Sequence, residues 1–239
     1  MRDAFAQEMT RLAAERTDLT LLSGDIGNRM FDRYKQVAPE RFFNCGIAEA
    51  NMMSLAAGMA LSGLRPVIYT IAPFTTTRCL EQIRIGVAYH QAPVVIVGTG
   101  SGLSYAELGP THHSLEDMAI LRTLPGLNVL APADSAELVA QLREALDAPH
   151  PTYMRIGKKG EPPLHDPAAS LGIGKGQMLR DGSDLLVIGV GPILGEALQA
   201  AEALAGSGVS VAVASLGGVK PLDQRFLSGL AERFPRWLS

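Results

Sequence analysis

Short apolar stretches alternate with longer amphipathic segments along the first two thirds of the chain. This alternation predicts strands at 19–23, 42–44, 66–71, 93–99, 127–130 and 152–156, and helices at 2–16, 46–61, 73–90, 115–124 and 135–146. The stretch between the fourth strand and the fourth helix is rich in Gly, Ser and Pro and predicts a long loop. Helices of this length between buried strands predict an α/β fold, a mostly parallel sheet with helices on both faces.

A polar, proline-rich segment then interrupts the pattern. We therefore predict a first domain at 1–160, a linker at 161–174 and a second α/β domain at 175–239. In the second domain the apolar runs predict strands at 184–190 and 209–215 and helices at 194–204 and 223–234. Two strands leave open edges and half a core, so we expect this domain to be incomplete.

Composition and charge narrow the classes of function. The 239 residues are 47% hydrophobic and 19% charged, which is enough for a sizeable core, and the net charge of −3 gives no electrostatic case for binding nucleic acid or an anionic membrane. No apolar run is long enough for a membrane span. Cys45 and Cys79 lie far apart in apolar segments, and we interpret them as free thiols of a cytoplasmic protein. No Cys and His spacing suggests zinc, and we predict no metal ligands in this chain.

Glu49 is a carboxylate placed near the start of a predicted helix that is small and apolar on every side. The residues that follow it, SLAAGMALSGL at 54–64, predict a helix packed inside a protein. A carboxylate in that setting either binds a partner or ligand, or is an N-terminal acid stabilised by the helix dipole. The residues alone leave both interpretations open.

Three segments taken together suggest a family. They are RFFNCGIAEANMMSLAAGMALSGLRPVIYTIAPF at 41–74, GLSYAELGPTHHSLEDMAILRTLPGLNVLAPAD at 102–134, and PTYMRIGKKGEP at 151–162. In this order they resemble the pyrimidine-binding domain of transketolases and, next most closely, that of deoxyxylulose-phosphate synthases. The chain from 172 onward resembles the start of the C-terminal domain of the same families.

The resemblance implies a thiamine diphosphate enzyme. Glu49 matches the glutamate of the family's G-I-A-E motif. In the family that glutamate hydrogen-bonds N1′ of the cofactor's aminopyrimidine and so promotes deprotonation of C2 of the thiazolium. Phe74 matches an aromatic residue that stacks on the aminopyrimidine, and Ile71 can add apolar packing. Asp25 matches a position near the cofactor. From the residues alone, Phe74 can equally be a core aromatic and Asp25 a turn former.

The resemblance also implies substrate-binding residues. His112, the first histidine of G-P-T-H-H, matches a residue that binds substrate hydroxyls and assists proton transfer, whereas His113 should point elsewhere. Arg155 and Lys158 match positions that direct positive charge at a substrate phosphate or another anionic group. From the residues alone, His112 can equally be a structural histidine, and Arg155 and Lys158 can be a pair of solvated cations. Asp117 is expected in the first turn of the helix at 115–124.

Two departures from the family pattern change what we expect. Many transketolases carry an aspartate just before G-P-T-H, where this chain has Leu108, so an ordinary pentose phosphate is a doubtful substrate and a deoxy or modified sugar is favoured. The G-D-G motif that holds Mg²⁺ and the diphosphate is missing, since Ile26 follows Asp25. We therefore expect the Mg²⁺ ligands on a separate N-terminal subunit.

The resulting hypothesis is the C-terminal subunit of a split transketolase. It would move a two-carbon ketol unit from a ketose to an aldose, self-associate through its pyrimidine-binding domain, and form a heterotetramer with the N-terminal subunit. One alternative is the β subunit of a 2-oxoacid dehydrogenase. Another, from a different class, is a non-catalytic relative that dimerises or regulates.

Overall fold

A computed structural model describes residues 1–27 and 29–239, which form two sheets with helices around them. The described strands are β1 Leu19–Ser23, β2 Phe42–Asn44, β3 Arg65–Ile71, β4 Val95–Thr99, β5 Asn128–Leu130, β6 Thr152–Ile156, β7 Gln177–Arg180, β8 Leu185–Gly189, β9 Val211–Ser215, β10 Gly218–Lys220 and β11 Trp237–Leu238. The described α-helices are α1 Arg2–Glu15, α2 Asp32–Val37, α3 Glu49–Leu61, α4 Ala72–Thr75, α5 Asp117–Leu121, α6 Ser135–Asp147, α7 Leu194–Ala205 and α8 Gln224–Arg233. None of them is long and apolar enough to cross a membrane.

The larger sheet has seven strands in the order β10-β5-β6-β4-β3-β1-β2. All neighbouring strands are parallel except β10, which runs antiparallel to β5. One apolar cluster, which includes Phe5 and Tyr69, lies on one face, and a second, which includes Met53 and Ile83, lies on the other. The predicted fold, a mostly parallel sheet with helices on both faces, is confirmed.

The smaller sheet has four strands in the order β11-β8-β9-β7. The strands predicted at 184–190 and 209–215 are β8 and β9, while β7, β10 and β11 were missed. These three are two to four residues long and partly exposed, so they lack the apolar run that marks a buried strand. Because β10 follows β9 in the chain but joins the larger sheet, the C-terminal part of the chain completes the edge of the first sheet.

The register of the larger sheet gathers several loops at one edge. Thr99 at the end of β4 lies opposite Ile71 at the end of β3 and Ile156 at the end of β6. The segments that follow β1, β3, β4 and β6 therefore leave the sheet side by side. In open α/β sheets this carboxyl edge is where ligands bind.

The single helix predicted at 73–90 is instead three short pieces. After α4 comes a 3₁₀ turn at Thr77–Cys79 and then a π-helix at Gln82–Tyr89. Thr75 and Thr76 donate their hydroxyls to the carbonyl of Ala72, and such local bonds compete with a regular helix. The break brings the segment after β3 back over the edge of the sheet.

Helix α3 is not buried on all sides in this chain, contrary to the sequence prediction. Met52, Met53 and Ala56 are buried on the side facing the sheet, but Leu55 and Leu61 are 44% and 59% exposed. The helix is apolar on both faces, which predicted burial of both, yet the described part of the chain covers only the face toward the sheet. The uncovered face is apolar surface of the kind used for contacts between chains.

Candidate active site

Glu49 lies at the carboxyl edge of the larger sheet as the first residue of α3. Its carboxylate is only 3% exposed and accepts a hydrogen bond of 2.8 Å from Nη1 of Arg78. A Cβ on Gly24, just after β1, would lie 3.1 Å from Cβ of Thr70 and 3.4 Å from Cγ of Glu49. A glycine at this position therefore lets the end of β1 approach the carboxylate of Glu49 closely. The end of β1 thus helps to enclose that carboxylate.

Phe74 lies in α4, directly after β3, and its ring is covered on one face by the same arginine. The guanidinium carbon of Arg78 is 3.9 Å from the centroid of the Phe74 ring. Arg78 thus bridges Glu49 and Phe74, with an ion pair on one side and a cation–π contact on the other. Ile71, the last residue of β3, is almost completely buried next to α4.

His112 lies against Phe74, whereas His113 does not. The two rings of His112 and Phe74 meet edge-on with centroids 5.0 Å apart, and Nδ1 of His112 lies 2.9 Å from the hydroxyl of Thr111. His113 instead directs Nε2 at the carbonyl of Ala106, 3.4 Å away. His112 is therefore the histidine of the pair that contacts Phe74, and its role in binding substrate stays a prediction.

Lys158 joins the same neighbourhood through Tyr105. Its Nζ lies 4.2 Å from the centroid of the Tyr105 ring, donates to the carbonyl of Ser104 at 3.1 Å, and pairs with Glu107 at 3.0 Å. Tyr105 in turn lies 6.3 Å, ring to ring, from His112. A row of ring and ionic contacts therefore runs from one end of the site to the other, in the order Lys158, Tyr105, His112, Phe74, Arg78 and Glu49.

Arg155 is held in an ion pair rather than standing free as a solvated cation. Its side chain is 14% exposed, and Nη1 lies 3.0 Å from Oδ1 of Asp117, a carboxylate that is 1% exposed. The hydroxyl of Tyr153 donates to the other oxygen of Asp117 at 2.6 Å. Burial and the charge of Asp117 raise the pKa of Tyr153 well above its usual value, so it remains a donor. Nε of Arg155 makes no hydrogen bond within the described residues.

Asp25 lies at the turn after β1 and is exposed. Its backbone is in the left-handed region at φ +56°, and its Oδ1 accepts a hydrogen bond of 2.9 Å from Asn44 at the end of β2. Oδ1 of Asn44 accepts in turn from the backbone N–H of Gly46 at 3.0 Å. These contacts fit a residue that shapes the turn after β1, and a role for Asp25 near the cofactor stays a prediction.

Sequence reasoning missed Arg78, Tyr105 and the role of Asp117. Arg78 stands one helical turn after Phe74 in the sequence, but the broken helix that turns it back over the ring left no trace in the pattern. Asp117 was expected as a first-turn helix residue; α5 does begin there, but the carboxylate is buried against β6. A separation of 38 positions in the sequence hides this pair from any local motif.

Two absences concern metals and disulfides. Across residues 1–27 and 29–239, no three or more His, Cys, Asp or Glu side chains are grouped so as to hold a metal ion. Cys45 and Cys79 are both free thiols, and Cys79 is buried. Burial raises the pKa of Cys79 to about 12, which keeps it a thiol.

Both parts of the chain match models of known protein families. Residues 1–161 match the family model described as the pyrimidine binding domain of transketolase, and residues 174–238 match the C-terminal domain of transketolase. Residues 162–173, between the two matches, lie within the segment that the sequence predicted as a linker at 161–174.

Individual relatives agree with the family models. An apulose-4-phosphate transketolase subunit of Phocaeicola vulgatus is 33% identical over 237 residues, which cover 98% of this chain and 76% of the relative. A 6-deoxy-6-sulfo-D-fructose transketolase subunit of Clostridium sp. strain MSTE9 is 34% identical over 225 residues, 94% of this chain and 70% of the relative. A solved structure described as a split gene transketolase, inactive beta4 tetramer, superposes with a TM-score of 0.89 at 32% identity, covering 99% of this chain and 77% of that one.

Proposed function

The chain belongs to the transketolase family as a subunit of the split, two-chain type, and from that premise we propose its reaction. The reaction is transfer of a two-carbon ketol unit from a ketose to an aldose acceptor, with thiamine diphosphate as cofactor. The chain works only together with an N-terminal subunit that holds the diphosphate and Mg²⁺.

One observation carries this proposal. A single flat cation, the guanidinium of Arg78, reaches the carboxylate of Glu49 and the ring face of Phe74 at the same time. The two side chains are therefore spaced so that one planar group with N–H donors can bond to the first while it stacks on the second. The aminopyrimidine of thiamine diphosphate is a group of this kind, so the residues present fit the cofactor.

The protein's part in the chemistry follows from these contacts. When bound, thiamine diphosphate supplies the nucleophilic carbon that takes up the two-carbon unit. Glu49 exchanges a proton with the ring nitrogen N1′, and its burial keeps that proton out of reach of bulk water. Phe74 holds the ring by stacking, and Ile71 adds apolar contact behind it. Asp25 shapes the loop next to the cofactor.

The substrate would lie next to His112, whose ring meets that of Phe74 edge-on. His112, one ring away, is placed to bind a sugar hydroxyl and to move a proton there. Lys158 can exchange Glu107 for an anionic group of the sugar, and Arg155, held in place by Asp117, adds a second positive charge near the end of β6. The two relatives named for an apulose phosphate and a sulfo-deoxy-fructose support an anionic sugar.

Leu108 limits which sugars fit. It is 50% exposed in the loop that carries His112, and its side chain cannot accept a hydrogen bond. A sugar hydroxyl directed at this position would lose its bond to water without gaining another. We therefore propose a deoxy or modified sugar at this end of the site.

The uncovered apolar surface supports association between chains. Leu55 and Leu61 on α3 and Ile85 and Tyr89 on the π-helix are exposed large apolar side chains on neighbouring elements. We propose that this face contacts further subunits, so that the pyrimidine-binding domain self-associates within a heterotetramer. A cytoplasmic location fits the two free thiols.

Reconstitution tests the proposal. This chain is mixed with the diphosphate-binding subunit, thiamine diphosphate and Mg²⁺, and transfer of a two-carbon unit between sugars is measured. We expect transfer by the mixture and none by either chain alone. Oxidative decarboxylation of a 2-oxoacid by the mixture would identify a 2-oxoacid dehydrogenase, and absence of cofactor binding with and without the partner would identify a non-catalytic relative.

A further inference from the structure

We infer that Arg78 is a gate on the cofactor site: its guanidinium and the aminopyrimidine compete for Glu49 and Phe74, so Arg78 sets how tightly and how fast thiamine diphosphate binds. The inference rests on the proposed roles of Glu49 and Phe74 and adds the control of that same site.

The competition follows from the geometry. Nη1 of Arg78 lies 2.8 Å from Oε1 of Glu49, and the centre of its guanidinium lies 3.9 Å from the Phe74 ring, which is stacking distance. An aminopyrimidine that stacks on the same face and bonds to the same carboxylate needs the same volume. The arginine must therefore leave before the ring can bind there.

The buried charge explains why an arginine at this place is useful. Glu49 is 3% exposed, and the Arg78 pair is the ionic contact that the structure describes for it. A buried carboxylate without a partner is unfavourable, because burial removes the water that solvates its charge. Arg78 thus stabilises the chain before the cofactor arrives, and the aminopyrimidine takes over the same hydrogen bond.

The position of Arg78 allows it to move away. Its side chain is 43% exposed, so the guanidinium can turn outward into water without opening the core. The residue lies in the 3₁₀ turn between α4 and the π-helix, where the backbone is irregular on both sides. Non-regular helical segments of this kind often mark hinges.

The size of the effect follows from what Arg78 gives up on leaving. A partly exposed ion pair and a partly exposed cation–π contact are individually weak. Because both contacts must break before the cofactor binds, they weaken its binding by a factor on the order of ten. A mutation that removes Arg78 should therefore strengthen binding by about the same factor.

Cofactor binding to the two-subunit complex tests the gate. Thiamine diphosphate with Mg²⁺ is titrated calorimetrically into complexes that carry wild-type chain, Arg78→Ala or Arg84→Ala. Arg84 is the matched control, because it pairs with Glu81 at the surface on the next turn. We expect Arg78→Ala to lower Kd roughly tenfold and to speed binding, while Arg84→Ala leaves both unchanged. An unchanged or higher Kd for Arg78→Ala would overturn the gate.

Unfolding of this chain by itself, without cofactor, gives a second test that needs no partner. Arg78→Ala should lower the unfolding midpoint by roughly 2–4 °C, because it leaves Glu49 unpaired. Adding Glu49→Gln should recover most of that loss; equal losses in both backgrounds would contradict the pair. If Phe74→Ala and Glu49→Gln leave Kd unchanged, the proposed cofactor site is wrong. If they change Kd and Arg78→Ala does not lower it, only the gate fails.

Discussion

The imidazole of His112 meets the ring of Phe74 edge-on, with 5.0 Å between their centroids. The two residues follow different strands, Phe74 in α4 after β3 and His112 in the long segment after β4. They are neighbours because β3 and β4 are parallel and end side by side. The contact brings His112, the residue proposed to bind substrate, next to Phe74, the residue proposed to stack on the aminopyrimidine of the cofactor.

Phe74→Leu should weaken binding of thiamine diphosphate to the two-subunit complex. Leucine keeps apolar volume but removes the stacking, which is worth about 0.5–1.5 kcal/mol, so we expect a Kd roughly 3- to 10-fold higher. Calorimetric titration measures it. Phe226→Leu on α8, which packs against the smaller sheet, is the control. Equal effects of the two changes would argue against stacking on Phe74.

The histidine pair offers a matched comparison. His112→Asn should lower kcat/KM for two-carbon transfer by roughly 10²-fold or more if His112 moves a proton. His113→Asn should change it little, since that ring faces the carbonyl of Ala106. Steady-state kinetics of both variants decides the matter, and a larger loss at His113 would reverse the assignment.

The two cations should respond differently to mutation. Arg155→Ala leaves the buried carboxylate of Asp117 without its cation and should lower the free energy of unfolding by about 3 kcal/mol. Lys158→Ala breaks a surface pair worth about 1 kcal/mol or less, yet should raise KM for an anionic sugar. Urea unfolding and kinetics separate the two effects. Equal stability losses would mean that Asp117 does not depend on Arg155.

A buried histidine predicts how stability depends on pH. Nδ1 of His165 lies 3.0 Å from Asp134, the N-cap of α6, and Nε2 lies 3.7 Å from Glu137. Burial alone would lower the pKa of His165, but the two carboxylates outweigh it and raise the pKa above its usual value of 6.5. The protonated form is therefore the one that the fold stabilises.

The sign of the pH effect follows. The contribution of His165 is fully present below pH 6.5 and is lost as pH rises through its higher native pKa. Urea unfolding should therefore show that the wild type is less stable above the native pKa of His165 than at pH 6.5. In His165→Gln this dependence of stability on pH should be weaker. His150→Gln, at an exposed histidine bonded to Gln91, is the control. An unchanged slope in His165→Gln would refute the assignment.

Much of the fold was predictable because its signals are local. Buried strands such as β4 are continuous apolar runs, and α6 carries its own cap at Asp134. The short strands β7, β10 and β11 were missed because tertiary pairing, rather than composition, holds them in the sheets. The break in the helix after Phe74 was missed because it involves hydrogen bonds from the hydroxyls of Thr75 and Thr76. Whether a threonine makes such a bond depends on the folded conformation and cannot be seen in the sequence.

Residues of the candidate site could be predicted where they lie in a sequence motif. They could not be predicted where they depend on contacts between residues far apart in the sequence. Glu49, Phe74 and His112 stand in recognisable motifs, and the structure brings all three to one edge of the sheet. Arg78, which connects Glu49 to Phe74, lies outside the segments that suggested the family. Tyr105, which connects His112 to Lys158, lies inside one of them, but the sequence assigned it no role. Arg155 was recognised as a cation, but its buried partner Asp117 could be found only from the structure.

The activity of Glu49→Gln in the reconstituted two-subunit enzyme tests the central claim most directly. Glutamine keeps the size of the side chain but cannot exchange a proton with the cofactor ring. Two-carbon transfer should fall by about 10²- to 10⁴-fold, with the unfolding transition of the chain preserved, while Glu81→Gln on the surface should retain full activity. Full activity of Glu49→Gln would contradict the assignment of Glu49 as the residue that activates thiamine diphosphate.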